Sequence, residues 1–248
     1  MRPFLFLLFL LLAVTPSLTL AQAGANAPSQ TSPAPATNTT DSSGVRHPKP
    51  AAQPALDRAQ DLLFRKKDPA ASIEEFKKAV KADPWYAQSY VLLGLAYMQL
   101  QRWSEAQWAF EQSTKVEPGN AQGYLGWGSA LNEEKDYAGA QKALQRSLEL
   151  NPDSAEAHYE LARTFGAMGK WQAAEPHARR AIELNPDYAG PHALMGNVYL
   201  DQQDPESARN EFKEYLRLDP EGSLAPAVRQ ILAEIEKAMP PEPNKKRP

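Results

Sequence analysis

Few residues in this chain belong to the types that do covalent or redox chemistry. Its 248 residues include four histidines and no cysteine, which removes disulfides, thiolate metal sites and a cysteine nucleophile together. His158 and His192 occupy matching places in successive segments, from which they could face each other across adjacent first helices; the same place elsewhere holds Leu56, Tyr90 and Tyr124, so packing is the expected role. A tetrahedral metal site asks for further ligands at a fitting interval, and no third ligand stands at an obvious spacing from these two. His177 adjoins the Arg179-Arg180 pair and His47 lies in a Pro/Ala-rich stretch, where solvated roles suffice. Carboxylate pairs such as Glu74-Glu75 and Glu133-Glu134 read as solvent faces, without the buried partner that general acid–base work requires. There is no nucleophile elbow, zinc-helix motif, glycine-rich phosphate loop or basic stripe. A formal charge of −3 is too mild to suggest a polyphosphate partner. The expectation is therefore no catalytic residue, no cofactor, no metal, no nucleic acid and no small-molecule substrate.

The residues instead describe a scaffold. Pro84, Pro118, Pro152, Pro186 and Pro220 are spaced 34 apart without a slip. Between two of them, Ala87 to Asn120 reads as two amphipathic helices: Leu93, Gly94 and Tyr97 share one face, and Ala106, Phe110 and Ser113 share another. Ser104 and Gln107 suggest a capping box near the second helix start. Pro118 lacks an amide hydrogen and pushes Glu117 out of the helical region, so the helix stops there. With the proline set at position 32, five units begin at Gln53, Ala87, Ala121, Ala155 and Ala189. Position 8 (Gln60, Gly94, Gly128, Ala162, Gly196) and position 20 (Ser72, Ala106, Ala140, Ala174, Ala208) are mostly small, so the two helices of a unit can approach closely. Position 24 (Phe76, Phe110, Leu144, Ala178, Phe212) mostly fills the space they leave. Asp68-Pro69 and Asp204-Pro205 supply N-cap and first helical residue in units one and five. Pro176, inside a second helix, predicts a kink.

Ahead of the repeats, Met1 to Ala23 has the form of an export signal: Arg2, an apolar run from Phe4 to Val14, the breaker Pro16, and the small-x-small sequence Ala21-Gln22-Ala23. Eleven apolar residues span about half of a ~30 Å hydrocarbon core, so cleavage is expected, with an uncleaved membrane anchor as the alternative. Residues 24–52, rich in Ala, Pro, Ser and Thr, read as a disordered tether. Residues 53–239 form the repeat domain (units 53–86, 87–120, 121–154, 155–188 and 189–222, with a cap at 223–239). Residues 240–248 are a frayed tail. In the cap, Val228, Ile231, Leu232 and Ile235 are the apolar face.

The small and large positions, the aromatic Trp103, Tyr137 and Trp171 at the turn, and the repeated proline resemble the tetratricopeptide repeat family over Gln53 to Gly222. The resemblance implies an all-α fold, a right-handed α-solenoid of five helix-turn-helix repeats plus a capping helix, and a protein or peptide partner. It also implies that the groove is lined by set positions of each first helix, here Val91, Leu92, Leu95 and Met98, then Leu125, Ser129 and Asn132, then Tyr159 and Arg163, then Leu194 and Asn197. The Lys/Asn/Arg set of the carboxylate-clamp subgroup is absent. The first helix of unit two, YVLLGLAYMQL, is apolar around nearly its whole circumference, where a packed helix should show a polar stripe. An apolar or mixed peptide segment is the expected ligand there. Trp108, where other units carry polar residues or proline, marks a possible convex contact, with packing beneath a neighbouring helix as the alternative. The expected function is a non-enzymatic interaction scaffold, periplasmic or secreted, or alternatively a substrate-recruiting subunit of a periplasmic maturation or secretion complex.

Overall fold

The computed structural model describes residues 46–238. The expected export signal, residues 24–45 of the expected tether, and everything after Ala238 lie outside the described residues. Eleven α-helices run through the described part: α1 (Gln53–Gln60), α2 (Pro69–Ala82), α3 (Ala87–Gln99), α4 (Trp103–Val116), α5 (Ala121–Glu133), α6 (Tyr137–Leu150), α7 (Ala155–Ala167), α8 (Trp171–Leu184), α9 (Ala189–Asp201), α10 (Pro205–Leu218) and α11 (Ala225–Ala238). The fold class is all-α, built from helix-turn-helix repeats. None of these helices is long and apolar enough to cross a membrane.

The punctuation of each unit follows from local chemistry. The residues preceding the five repeat prolines (Asp83, Glu117, Asn151, Asn185 and Asp219) close α2, α4, α6, α8 and α10. All have φ between −136° and −143° and ψ between 72° and 91°. Each still gives its N–H to the carbonyl four residues back, but the ring that follows forbids another helical residue. Within each unit the helices are joined by a short turn whose position 15 has positive φ: Lys67, Gln101, Lys135 and Gln203 at 53–65°, and Gly169 at 71°. Asp68 accepts from the Ala71 N–H at 2.9 Å and Asp204 from the Ser207 N–H at 3.1 Å, so both Asp-Pro pairs cap as expected. Asp136 and Ser154 do the same for α6 and α7. The capping box expected at Ser104 does not form in that way: α4 begins one residue earlier, at Trp103, with Arg102 as N-cap and no side-chain cap bond. Helix α8 continues through Pro176, in its second turn.

The chain divides into two compact units whose described residues are 46–130 and 131–238. In the first, Phe76 and Phe110 are wholly buried among Leu56, Leu63, Ile73, Leu93 and Tyr97. The Phe110 ring lies so close to Gly94 that a Cβ there would come within 2.8 Å of it, and a Cβ on Gly126 would meet the same ring closer still. Unit one departs from its neighbours as its sequence does. Beyond Gln60 its first helix widens into a π-helical turn, Asp61–Arg65. In the second compact unit, Phe212 stands against Gly196 in the same fashion. Helix α11 buries Val228, Ile231, Leu232 and Ile235 and exposes Arg229, Gln230 and Lys237.

One part of the tether assignment is corrected. Arg46 to Ala52 are docked on the first repeat. The Asp83 carboxylate, fully buried, accepts from Arg46 Nη2 at 3.3 Å, from the Lys49 N–H at 3.0 Å and from the Trp85 N–H at 3.3 Å. Ala52 is completely buried and precedes α1 as its N-cap. A composition of Pro, Ala and Arg carries no sign of this, because the anchor is a single carboxylate 34 residues downstream.

Candidate peptide-binding surfaces

Of the four groove residues expected in α3, two face inward. Val91 and Leu92 are 4% and 5% exposed and share one core with Leu56, Ala59 and Leu63. They are packing residues, and the apolar circumference of α3 is explained on that side by the core it shares with unit one. Leu95 is 39% exposed, and Met98 lies partly open at the margin of the core. A residue missed by sequence reasoning joins them in character. Phe64, on the π-helical turn, is 53% exposed and holds in unit one the position that Met98 holds in unit two. The large apolar side chains that stand exposed among the described residues are Phe64, Leu95 and Leu100, and all belong to the first compact unit.

The other expected groove residues are drawn on for structure. Leu125 is half-buried, and the Ser129 hydroxyl donates to the carbonyl of Leu125 in its own helix at 3.0 Å. Asn132 is buried. It accepts from the Thr164 hydroxyl at 2.9 Å and donates to the Glu160 carboxylate at 3.0 Å. Arg163 donates to Glu133 at 2.7 Å and to Glu160 at 3.0 Å. Asn132 and Arg163 are thus members of one satisfied polar network between α5 and α7, in which a displaced partner would leave a half-buried charge. Leu194 is buried in the core with Met195 and Val198, while Asn197 is half-buried. Tyr159 lines a cleft with Tyr188.

Trp108 is half-buried against the first core, and its ring meets Tyr90 edge-on, 6.2 Å between centroids at 68°. One side of Trp108 is thus used in packing, and the rest of the ring stays open; an aromatic pair of this geometry is worth roughly 0.5–1.5 kcal/mol beyond its burial.

The histidines pack within their own units. His158 and His192 do not face each other; each turns to the second helix of its own unit. His158 Nε2 lies 3.0 Å from the Pro152 carbonyl, which calls for a proton on that nitrogen and leaves Nδ1 to accept from His177 Nδ1–H at 3.0 Å. The His177 ring also stacks on Phe165. His192 Nδ1 lies 2.7 Å from the Glu211 carboxylate, with Nε2 buried and short of a well-aligned acceptor. Position 4 therefore meets the second helix, a contact that spacing within one helix cannot reveal.

These pairs titrate in opposite senses. Burial holds His158 below the ordinary imidazole range, against the opposing pull of the Pro152 carbonyl, with Arg180 adding to the depression and Asp153 opposing it. Burial also depresses His177, and the His158 ring adds to it. Their contribution to stability is present above the unfolded value of about 6.5 and is lost as pH falls from there through the folded values. His192 is raised, first by its hydrogen bond to Glu211, against burial. Its contribution is present below about 6.5 and is lost as pH rises through the folded value. The expected result is that His177→Gln flattens the acid limb of stability against pH, while His192→Gln flattens the limb that falls as pH rises from about 6.5. Urea midpoints at a series of pH values check both; an unchanged acid limb in His177→Gln contradicts the pairing.

Comparison with known proteins agrees with this geometry. The family model described as Tetratricopeptide repeat matches residues 63–125 and 166–235, and a second model of the same description matches 120–187. No curated protein matches the chain significantly. Among solved structures, MamA protein is 25% identical, with a TM-score of 0.59 over 68% of this chain and 92% of that one. YrrB, reported as a TPR protein with an unusual peptide-binding site, is 22% identical, with a TM-score of 0.56 over 72% of this chain and 92% of its own. PilW, a type IV pilus biogenesis factor, is 17% identical, with a TM-score of 0.64 over 77% and 92%. The last two likenesses concern the fold alone.

Proposed function

The chain belongs to the tetratricopeptide repeat family, and from that premise we propose that it is an exported, non-enzymatic scaffold that holds an apolar peptide segment against Leu95 and Met98. The fold is one of protein-interaction scaffolds. The observation that carries the finer reading is that Leu95 and Phe64 are, with Leu100, the large apolar side chains that stand exposed among the described residues. Water contact at such side chains is unfavourable, and covering a Leu or Met completely is worth ~1.5–3 kcal/mol. The thioether of Met98 adapts to varied partners. Export rests on the sequence of residues 1–23.

A peptide display library panned on the full chain tests the site. The expected outcome is enrichment of sequences with Leu, Ile, Phe or Met anchors. Leu95→Ser/Met98→Ser should lose about tenfold or more in affinity for them, since 1.4 kcal/mol is tenfold, with helicity unchanged by circular dichroism. Undiminished binding by the folded variant would remove this surface from consideration.

A further inference from the structure

The second compact unit carries a cleft of different character. Tyr159, Tyr188 and Tyr215 line a cavity of about 360 Å³ whose rim includes Asp187 and Asp219. The Tyr159 and Tyr188 rings meet as a corner, 4.9 Å between centroids at 58°. Tyr159 can lie there because residue 190 is glycine; a Cβ at that position would come within 2.7 Å of its ring. Burial pushes the Tyr159 phenol up to about 12 and raises Tyr188 further. Both rings therefore stay neutral across the physiological range and present electron-rich faces.

The charges around the cleft favour one sign. Asp187 and Asp219 have no ion-pair partner among the described residues. The nearby cations make their close pairs with other groups: Arg163 with Glu133 and Glu160, Arg217 with Glu214, and Arg229 with the Pro220 carbonyl and Glu221, although Arg217 is also attracted by Asp187 at longer range. Opposing this, α9 begins at Ala189 on the cleft wall, and a helix N-terminus carries about half a positive charge. The C-terminal end of α10, at Leu218, lies on the same wall and contributes the opposite half charge. The two helix ends offset each other, and the two carboxylates decide the sign.

We propose that this cleft is a cation-binding site that takes the ammonium or guanidinium side chain of a basic peptide. The neutral tyrosine rings offer cation–π contact, and Asp187 and Asp219 supply the countercharge at the rim. The site goes beyond the apolar surface at Leu95: it lies in the other compact unit and selects for charge, so the two can fail separately.

The test uses the full chain with isotope-labelled tyrosine rings, titrated with acetylated and amidated Ala-Lys-Ala, Ala-Arg-Ala, Ala-Gln-Ala and Ala-Glu-Ala. The Lys and Arg peptides are expected to shift the Tyr159, Tyr188 and Tyr215 resonances, and to do so less as salt is raised. Tyr188→Leu should weaken binding about five- to thirtyfold. Because that variant alters a packed ring, Asp187→Asn and Asp219→Asn serve as independent checks, each weakening binding about two- to fivefold. Equal shifts with the Gln peptide, tighter binding of the Glu peptide, or Lys and Arg shifts confined to other tyrosines would each overturn the assignment.

Discussion

Phe110→Ala is expected to lower the unfolding free energy by about 3–5 kcal/mol, at the upper part of the range for a buried aromatic. The cost of such a truncation depends on how far the surroundings can collapse into the space. Here the ring is flanked by Gly94 and Gly126, which own no side chains to move, and each sits on a helix whose backbone is held by its own hydrogen bonds. The cavity therefore persists. The converse change is informative as well. Gly126→Ala would drive a methyl group into the ring and should cost ~1–3 kcal/mol by overpacking. Guanidinium unfolding measures both. A loss below about 1 kcal/mol for Phe110→Ala, the mean for an ordinary substitution, would mean that the helices can close up and that the close approach is not rigid.

Asp83→Ala should produce a second large loss, about 1.5–3 kcal/mol for each charge-assisted hydrogen bond that is not replaced by water. The carboxylate is fully buried, and Arg46, the Lys49 amide and the Trp85 amide all converge on it. With the acceptor gone, the strap from Arg46 to Ala52 has no polar anchor and Ala52 loses its seat over the first helix. Hydrogen exchange gives a local readout: the Lys49 amide should be protected in the parent chain and exchange freely in the variant. Asp83→Asn keeps one acceptor and should fall between the two. If Lys49 stays protected in Asp83→Ala, the strap is held by apolar contact at Ala52 instead.

The architecture was legible because its determinants are local. A proline forbids a helical residue before it, and a glycine opposite a phenylalanine permits one helix to approach another; both can be seen in the residues themselves. The Asp-Pro caps at Asp68 and Asp204 are equally local. The candidate site was less legible because exposure is a property of what lies opposite. Val91 and Leu92 are indistinguishable from Leu95 by residue type, yet two are core and one is open. Asn132 and Arg163 look like groove polar residues until Thr164, Glu160 and Glu133 are found to use their hydrogen-bonding groups. His158 finds His177 across the pair of helices, 19 residues along. Phe64 had a sequence signal: it stands at the same register as Met98, and extending the inner positions back to unit one reaches it.

The five proline junctions, nearly identical in φ and ψ, bear on how a gene for such a chain can change length. A stop that depends only on one residue and its successor works the same wherever it is copied. In-frame duplication or excision of 34 codons recreates a junction already in use and asks for no compensating substitution at the seam. Divergence is then free to accumulate around the junctions, and the aromatic cleft of one compact unit and the apolar side chains of the other are where the copies differ.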